Sequence, residues 1–240
     1  MATYIGIKGV QIQTIAGDPA NPIVGQVWYN TTANTLKSYG LQGTGAWAST
    51  GSLNTARNMA GGSGDTTAGL VFGGGPNSPT LKDETETYDG STWTAVNPLN
   101  TGRNSGSGCG TQTASLFIGG NIHPVAQALV EEWNGTSWTV VGNLNGVKSR
   151  NGASGTVGSA ISWGGIPPPM SSTAESWDGT SWTNIASLGA AKYAPARSSC
   201  GTGSSCFGAG GYTTSPAGTT VDTVEKWSDP VYSIKTVTVT

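Results

Sequence analysis

The sequence predicts an all-β protein assembled from repeated four-stranded sheets, and three observations carry that reading. A set of residues recurs: Glu86, Tyr88, Trp93, Leu99, Arg103 and Gly119–Gly120 return as Glu131, Trp133, Trp138, Leu144, Lys148 and Gly164–Gly165. They return again as Glu175, Trp177, Trp182, Leu188, Lys192 and Gly210–Gly211, and a partial earlier copy supplies Trp47, Leu53, Arg57 and Gly73–Gly74. The steps between Trp47, Trp93, Trp138 and Trp182 are 46, 45 and 44 residues, a period that marks a propeller, solenoid or array. Each copy also holds four short strand-like runs separated by turn signals. Finally, 38 Gly and nine Trp in 240 residues, with only 10% charged residues and a net charge of −2, describe a turn-rich globular chain rather than a disordered one.

Residues 1–21 stand outside the repeat. Ile5, Ile7, Val10, Ile12 and Ile15 are separated mostly by polar or small residues, the pattern of an extended arm with one apolar face, and Gly17-Asp18-Pro19 reads as a turn. Such an arm buries its apolar face along its own domain or against another subunit. Residues 26–49 offer three strands, Val27 to Tyr29, Leu36 to Tyr39 and Ala46 to Ala48, with a turn from Thr31 to Asn34.

From Leu53 onward each copy repeats one grammar over 51–97, 98–142, 143–186 and 187–233. A Leu is followed four residues on by a cation, then by a Gly/Ala/Ser-rich strand and a hydrophobic strand ending in two glycines. After a longer loop comes a strand ending in Glu-x-aromatic, then Asp89-Gly90, Asn134-Gly135 or Asp178-Gly179, which supply the positive-φ positions of a tight hairpin, and a Trp-Thr strand. Four strands in that order are the make-up of a propeller blade. In the last copy Glu225 and Trp227 fit the third strand and Tyr232 the aromatic of the fourth. Val237 and Val239 then alternate with Thr236, Thr238 and Thr240, so a strand at 235–240 is expected to complete the three-stranded set at 26–49. That gives five blades, one of them composite. The alternative is four blades plus a separate N-terminal adaptor.

The double Gly, the aromatic 11 to 15 positions later and the Trp five beyond it resemble the Kelch repeat family over roughly residues 51–233. The resemblance implies a β-propeller of four-stranded blades, and no single function. Residues 22–49, with Val27-Trp28-Tyr29-Asn30-Thr31, Leu36-Lys37 and Tyr39, resemble a segment common in tail-fibre and other virion proteins of tailed bacteriophages. That implies a structural protein of a virion, present in multiple copies and anchored to other virion proteins through its N-terminal arm. The Asp-Gly-x-x-Trp turns are similar to the aspartate box of sialidase propellers, though with one residue fewer between Asp and Gly, and that box is a structural turn.

No catalytic or metal-binding constellation stands out. His123 is the only His, which leaves too little material for a multi-His metal site or most Ser–His arrangements. No phosphate-binding fingerprint occurs, so no cofactor is expected. The slightly acidic balance argues against a nucleic-acid partner. No apolar run approaches a membrane span, and no secretory signal is visible. The repeated Trp93, Trp138 and Trp182 read as packing between neighbouring sheets, each ring burying about 150–250 Å². Glu86, Glu131, Glu175 and Glu225, with Arg57, Arg103, Lys148 and Lys192, are either a set of structural pairs or a like-signed ring holding an anionic ligand; a carboxylate near a packed face needs a partner, which favours pairing.

The loops after the double Gly differ between copies: 75–83, 121–127, 166–171 and 212–220. Variable, Pro-stiffened loops on one face of a rigid ring suit recognition of a host-surface glycan or protein. Pro76, Asn77, His123, Pro124, Ile166, Pro168, Met170, Tyr212 and Pro216 are the candidate contact residues. Two other functions carry different expectations. A carbohydrate-active propeller enzyme would bring acids together on the loop face. An intracellular Kelch interaction scaffold would carry a partner domain.

Overall fold

The computed structural model describes residues 12–24, 26–39, 49–75, 81–166, 170–194, 202–213 and 219–229. The described residues form strands, turns and loops, with no helix among them. The chain divides into two compact units, Met1–Ser49 and Thr50–Thr240.

In the first unit a three-stranded sheet runs in the order β1 (Gln13–Ile15), β2 (Val27–Asn30), β3 (Thr35–Ser38). β1 comes from the expected arm and pairs in parallel with β2, while β3 is antiparallel to it. The three polar residues of the phage-like segment converge on one carboxylate. Asp18 Oδ1 accepts from Trp28 Nε1 at 3.1 Å, Asn30 Nδ2 at 2.8 Å and Lys37 Nζ at 3.0 Å. Lys37 closes an ion pair at 2.8 Å with the other oxygen. The hydrogen bond from Lys37, followed by those from Asn30 and Trp28, holds the Asp18 pKa down at about 2. The expected strand at 46–48, Trp47 included, lies outside the described residues, as do the start of the arm, Tyr232 and the expected strand at 235–240.

Among its described residues the second unit contains three four-stranded antiparallel sheets. The first is β4 (Gly61–Gly64), β5 (Gly69–Phe72), β6 (Thr85–Tyr88) and β7 (Trp93–Val96). The second is β8 (Ser107–Gly110), β9 (Ser115–Ile118), β12 (Val130–Trp133) and β13 (Trp138–Val140), with a small inserted hairpin of β10 (Asn121–Ile122) and β11 (Val125–Ala126). The third is β14 (Gly152–Thr156), β15 (Ser159–Trp163), β16 (Ala174–Trp177) and β17 (Trp182–Ile185). In each, strands pair in chain order. A final pair, β18 (Ser205–Ala209) with β19 (Val224–Ser228), repeats the second and third strands.

The first strands of the three sheets are neighbours: β8 packs against both β4 and β14. Glycine permits that approach. A Cβ on Gly108 would sit 2.5 Å from Gly62 O and 2.7 Å from the Phe72 ring, both of the preceding sheet. The apolar residues between sheets form discrete cores. Leu70, Phe72, Leu99, Phe117, Trp133 and Trp138 fill the first seam. Cys109, Leu116, Ile118, Val130, Trp177 and Trp182 belong to the second, and Ile161, Trp163, Ala174 and Cys206 to the third. Trp138 reaches back to donate from Nε1 to Thr85 Oγ1 of the first sheet at 2.9 Å.

Two expectations need correction. Trp138 and Trp182 are buried, but Trp93 is only half-buried. It stacks on Tyr88 at 4.9 Å, and among the described residues of its unit no sheet precedes it to cover the indole. The Asp/Asn-Gly turns are four-residue loops rather than two-residue turns, because Tyr88 pairs with Trp93, Trp133 with Trp138 and Trp177 with Trp182. Only the glycines take positive φ, near 92–95° at Gly90, Gly135 and Gly179. The preceding Asp89, Asn134 and Asp178 use Oδ1 to accept the two backbone N–H groups at the end of the loop, at 2.8–2.9 Å. Donation from Thr92 and Ser91 keeps Asp89 well below the usual carboxylate range.

The Asp18 hub sets a pH dependence. Its pKa is depressed from 3.8 to about 2, so the stabilisation is fully present above pH 3.8 and is lost as pH falls through about 2. We expect the Trp28 indole N–H resonance, followed by NMR, to hold its shift down to about pH 4 and then move toward the free-indole value. Asp18→Asn should shift it at neutral pH.

Candidate functional site

The repeated charges form four pairs, each within its own copy, three of them buried on both sides and the fourth on the Lys192 side alone. Arg57 bonds Glu86, Arg103 bonds Glu131, Lys148 lies 3.4 Å from Glu175, and Lys192 lies 2.8 Å from Glu225. No like-signed ring is left open for an anionic ligand at these positions. Each Glu also caps the loop that leads into its sheet, accepting the backbone N–H of Asn54, Asn100, Asn145 or Gly189 at 2.6–2.7 Å. The Asn amides then reach the fourth-strand carbonyls of Trp93, Trp138 and Trp182. Burial raises the Glu86 pKa, but donation from Asn54, Thr55 and Arg57 outweighs it and the net shift is downward. Burial lowers Arg103, opposed by the charge of Glu131.

The cations anchor the rim of the unit. Two residues past each stands a non-glycine residue in the left-handed region: Met59 (φ 52), Ser105 (φ 58), Arg150 (φ 51) and Ala194 (φ 49). They link to one another in series. Ser105 N donates to Met59 O at 2.9 Å, Arg150 N to Ser105 O at 2.6 Å, and Ala194 N to Arg150 O at 2.7 Å. The residue before each of the last three pairs with the first residue after a double Gly: Asn104 with Asn121, Ser149 with Ile166, Tyr193 with Tyr212. The loops entering each sheet and the loops of variable sequence therefore share one end of the sheets, while the Asp/Asn-Gly turns lie at the other.

The double glycines make this junction. Gly74, Gly120 and Gly165 donate N–H to the backbone carbonyl of the next copy's cation, Arg103, Lys148 and Lys192, at 2.8–2.9 Å. Gly164 has φ +65, and a Cβ there would stand 2.6 Å from Lys192 O.

Among the candidate contact residues, His123 and Pro124 form the exposed tip of the β10–β11 hairpin. Ile166 and Met170 are half-buried. Tyr212 is 38% exposed and stacks on buried Tyr193, centroids 5.1 Å apart and planes 19° apart. Pro76, Asn77, Pro168 and Pro216 lie outside the described residues. Two residues join the site that sequence reasoning missed, Tyr193 and Arg150, whose guanidinium carbon lies 5.8 Å from the Tyr193 ring centroid. The rim position is silent in the sequence, because its four copies carry four different residue types.

Glu86, Glu131, Glu175 and Glu225 are engaged with cations, Asp18 with Trp28, Asn30 and Lys37, and Asp65, Asp89 and Asp178 with turn donors. Burial pushes the Cys109 thiol up to about 12. Among the described residues no group of three or more His, Cys, Asp and Glu is placed to hold a metal ion. No protein-family model matches the chain, and no curated protein matches it.

Four substitutions test this geometry. Arg103→Ala strands the fully buried Glu131 and should cost about 3–5 kcal/mol in denaturant unfolding; Lys192→Ala should cost less, since the Glu225 side chain is 32% exposed. Ala194→Gly relieves a left-handed residue and should stabilise by up to about 1 kcal/mol. Gly164→Ala should destabilise by about 2–4 kcal/mol through φ strain and the Lys192 carbonyl.

Proposed function

We propose that the chain is a non-enzymatic structural and binding protein of a tailed-phage virion, built as a Kelch-type β-propeller whose variable-loop face recognises a host-surface glycan or protein. The series of rim hydrogen bonds from Met59 through Ser105 and Arg150 to Ala194 carries the propeller reading. The same joint, made three times in succession with the first strands side by side, relates each copy to the next by one repeated operation, as blades around an axis are related. In this reading the blades number five, with 26–49 and 235–240 forming one together, or four if residues 26–49 make a separate adaptor.

The recognition role rests on the contrast between the two ends of the sheets. At one end three Asx-capped turns are built alike. At the other, an inserted hairpin, the segment starting at Ile166 and the Tyr193–Tyr212 stack occupy equivalent places with unlike chemistry. The engaged carboxylates favour binding over hydrolysis. The virion assignment rests on the wording of residues 22–49, and in it the N-terminal arm holds the protein to other virion proteins, in multiple copies, without cofactor, nucleic acid or membrane insertion.

Immuno-gold labelling of particles of the phage that encodes the chain tests this reading. Labelling at a fixed place on tail or capsid is expected. Intact particles that carry none of the protein would overturn it.

A further inference from the structure

Arg150 differs from every other described arginine. Arg57 and Arg103 spend their guanidinium groups on Glu86 and Glu131 and on backbone carbonyls. Arg150 has no carboxylate or carbonyl partner for its side chain among the described residues; its side-chain contact is the Tyr193 ring, 5.8 Å to the centroid. That distance is at the outer limit of a cation–π contact, about 6 Å, and it leaves the five N–H donors of the fork available. Nothing in the repeat calls for a cation here, since the same rim position carries Met59, Ser105 and Ala194 in the other copies. The residue is half-buried, and its guanidinium lies over the Tyr193 ring.

Tyr193 is also half of a stacked aromatic pair whose other member, Tyr212, is exposed. Tyr193 is buried and braces one side of Tyr212, and the two backbones lock together through reciprocal hydrogen bonds at 3.0 and 3.1 Å. An aromatic surface next to a planar donor fork matches a ligand that is apolar on one face and carries a carboxylate at its edge. We propose that Arg150, Tyr193 and Tyr212 form a subsite for a carboxylate-bearing saccharide, with the sugar ring packed on Tyr212 and its carboxylate in the fork of Arg150. The proposal rests on the recognition-face reading and names the ligand class for it. A neutral sugar leaves the fork unpaired, and an inorganic oxyanion leaves the aromatic surface unused.

Calorimetric or NMR titration of the full chain with sialyllactose and trigalacturonic acid, against lactose and inorganic sulfate, tests it. Binding of at least one acidic saccharide is expected, with lactose and sulfate each about tenfold weaker or more. Arg150→Gln and Tyr212→Ala should each weaken that binding about tenfold while the thermal midpoint stays near that of the parent chain. Arg150→Lys, which keeps the charge and loses the fork, should lose most of the affinity and guards against misfolding of the Gln variant. Undiminished binding by the Arg150 and Tyr212 variants overturns the subsite, as does sulfate binding as tightly as the acidic sugars, or no acidic saccharide binding at all. Neutral-glycan binding that His123→Ala abolishes and Arg150→Gln leaves intact removes the subsite while preserving the recognition face. Acidic-saccharide binding that depends on Arg150, in a protein absent from virions, supports the subsite and removes only the virion reading.

Discussion

A carboxylate buried in the third strand of each sheet organises the second unit. Left alone there it would be costly, and the chain surrounds it with donors from three directions. In the second sheet Glu131 takes the N–H and amide of Asn100 from the entering loop and the guanidinium of Arg103. Arg103 in turn donates to Phe117 O and Gly119 O at the end of the second strand. Its own backbone carbonyl then receives Gly74 N–H from the preceding sheet. The side chain of the cation thus ties its own sheet together, and its backbone ties that sheet to its neighbour.

This arrangement explains the unusual composition. Sheets that meet along their first strands leave no room for side chains there, so β4, β8 and β14 are built largely from Gly, Ser and Ala, and the apolar volume comes instead from Phe72, Phe117 and Trp163 on the second strands. On the third and fourth strands Trp133, Trp138, Trp177 and Trp182 supply the bulk. The change from glycine on the first strands to tryptophan on the third and fourth accounts for so many Gly and Trp in one chain better than either residue's local propensity does.

Much of this was legible in the sequence because it depends on residue type. Only a large aromatic fills the outer seam, only an acid and a base make the pair, and only glycine tolerates the Gly164 junction, so those positions repeat visibly. The Asn after Leu53, Leu99 and Leu144 repeats as well, and its role could have been sought. What escaped depends on backbone or on neighbours. The rim residues Met59, Ser105, Arg150 and Ala194 share a φ angle and a hydrogen bond but no side-chain chemistry. The turn type was misread because Asp-Gly suits two-residue loops as well as Asx-capped ones. Trp93 copies its counterparts in sequence, yet its exposure is decided by which sheet lies beside it. Asp18 reads as part of a Gly-Asp-Pro turn, and only folding shows that Trp28, Asn30 and Lys37 all aim at it.

The departures from the repeat are concentrated toward its end. The fourth copy replaces the capping Asn with Gly189, and its acid, Glu225, is partly open to solvent. The pairs that join rim to loop change from Asn104–Asn121, through Ser149–Ile166, to two stacked tyrosines at 193 and 212. Arg150 enters the rim where the neighbouring copies place Ser105 and Ala194. A scaffold maintained by selection for packing alone has no reason to put a planar cation and an aromatic pair at positions the other copies fill with small or neutral residues. Local rules broken without a structural return are where binding chemistry is to be sought, and here Tyr193 links the broken positions, touching Arg150 on the one hand and Tyr212 on the other, at the end of the sheets where the copies join.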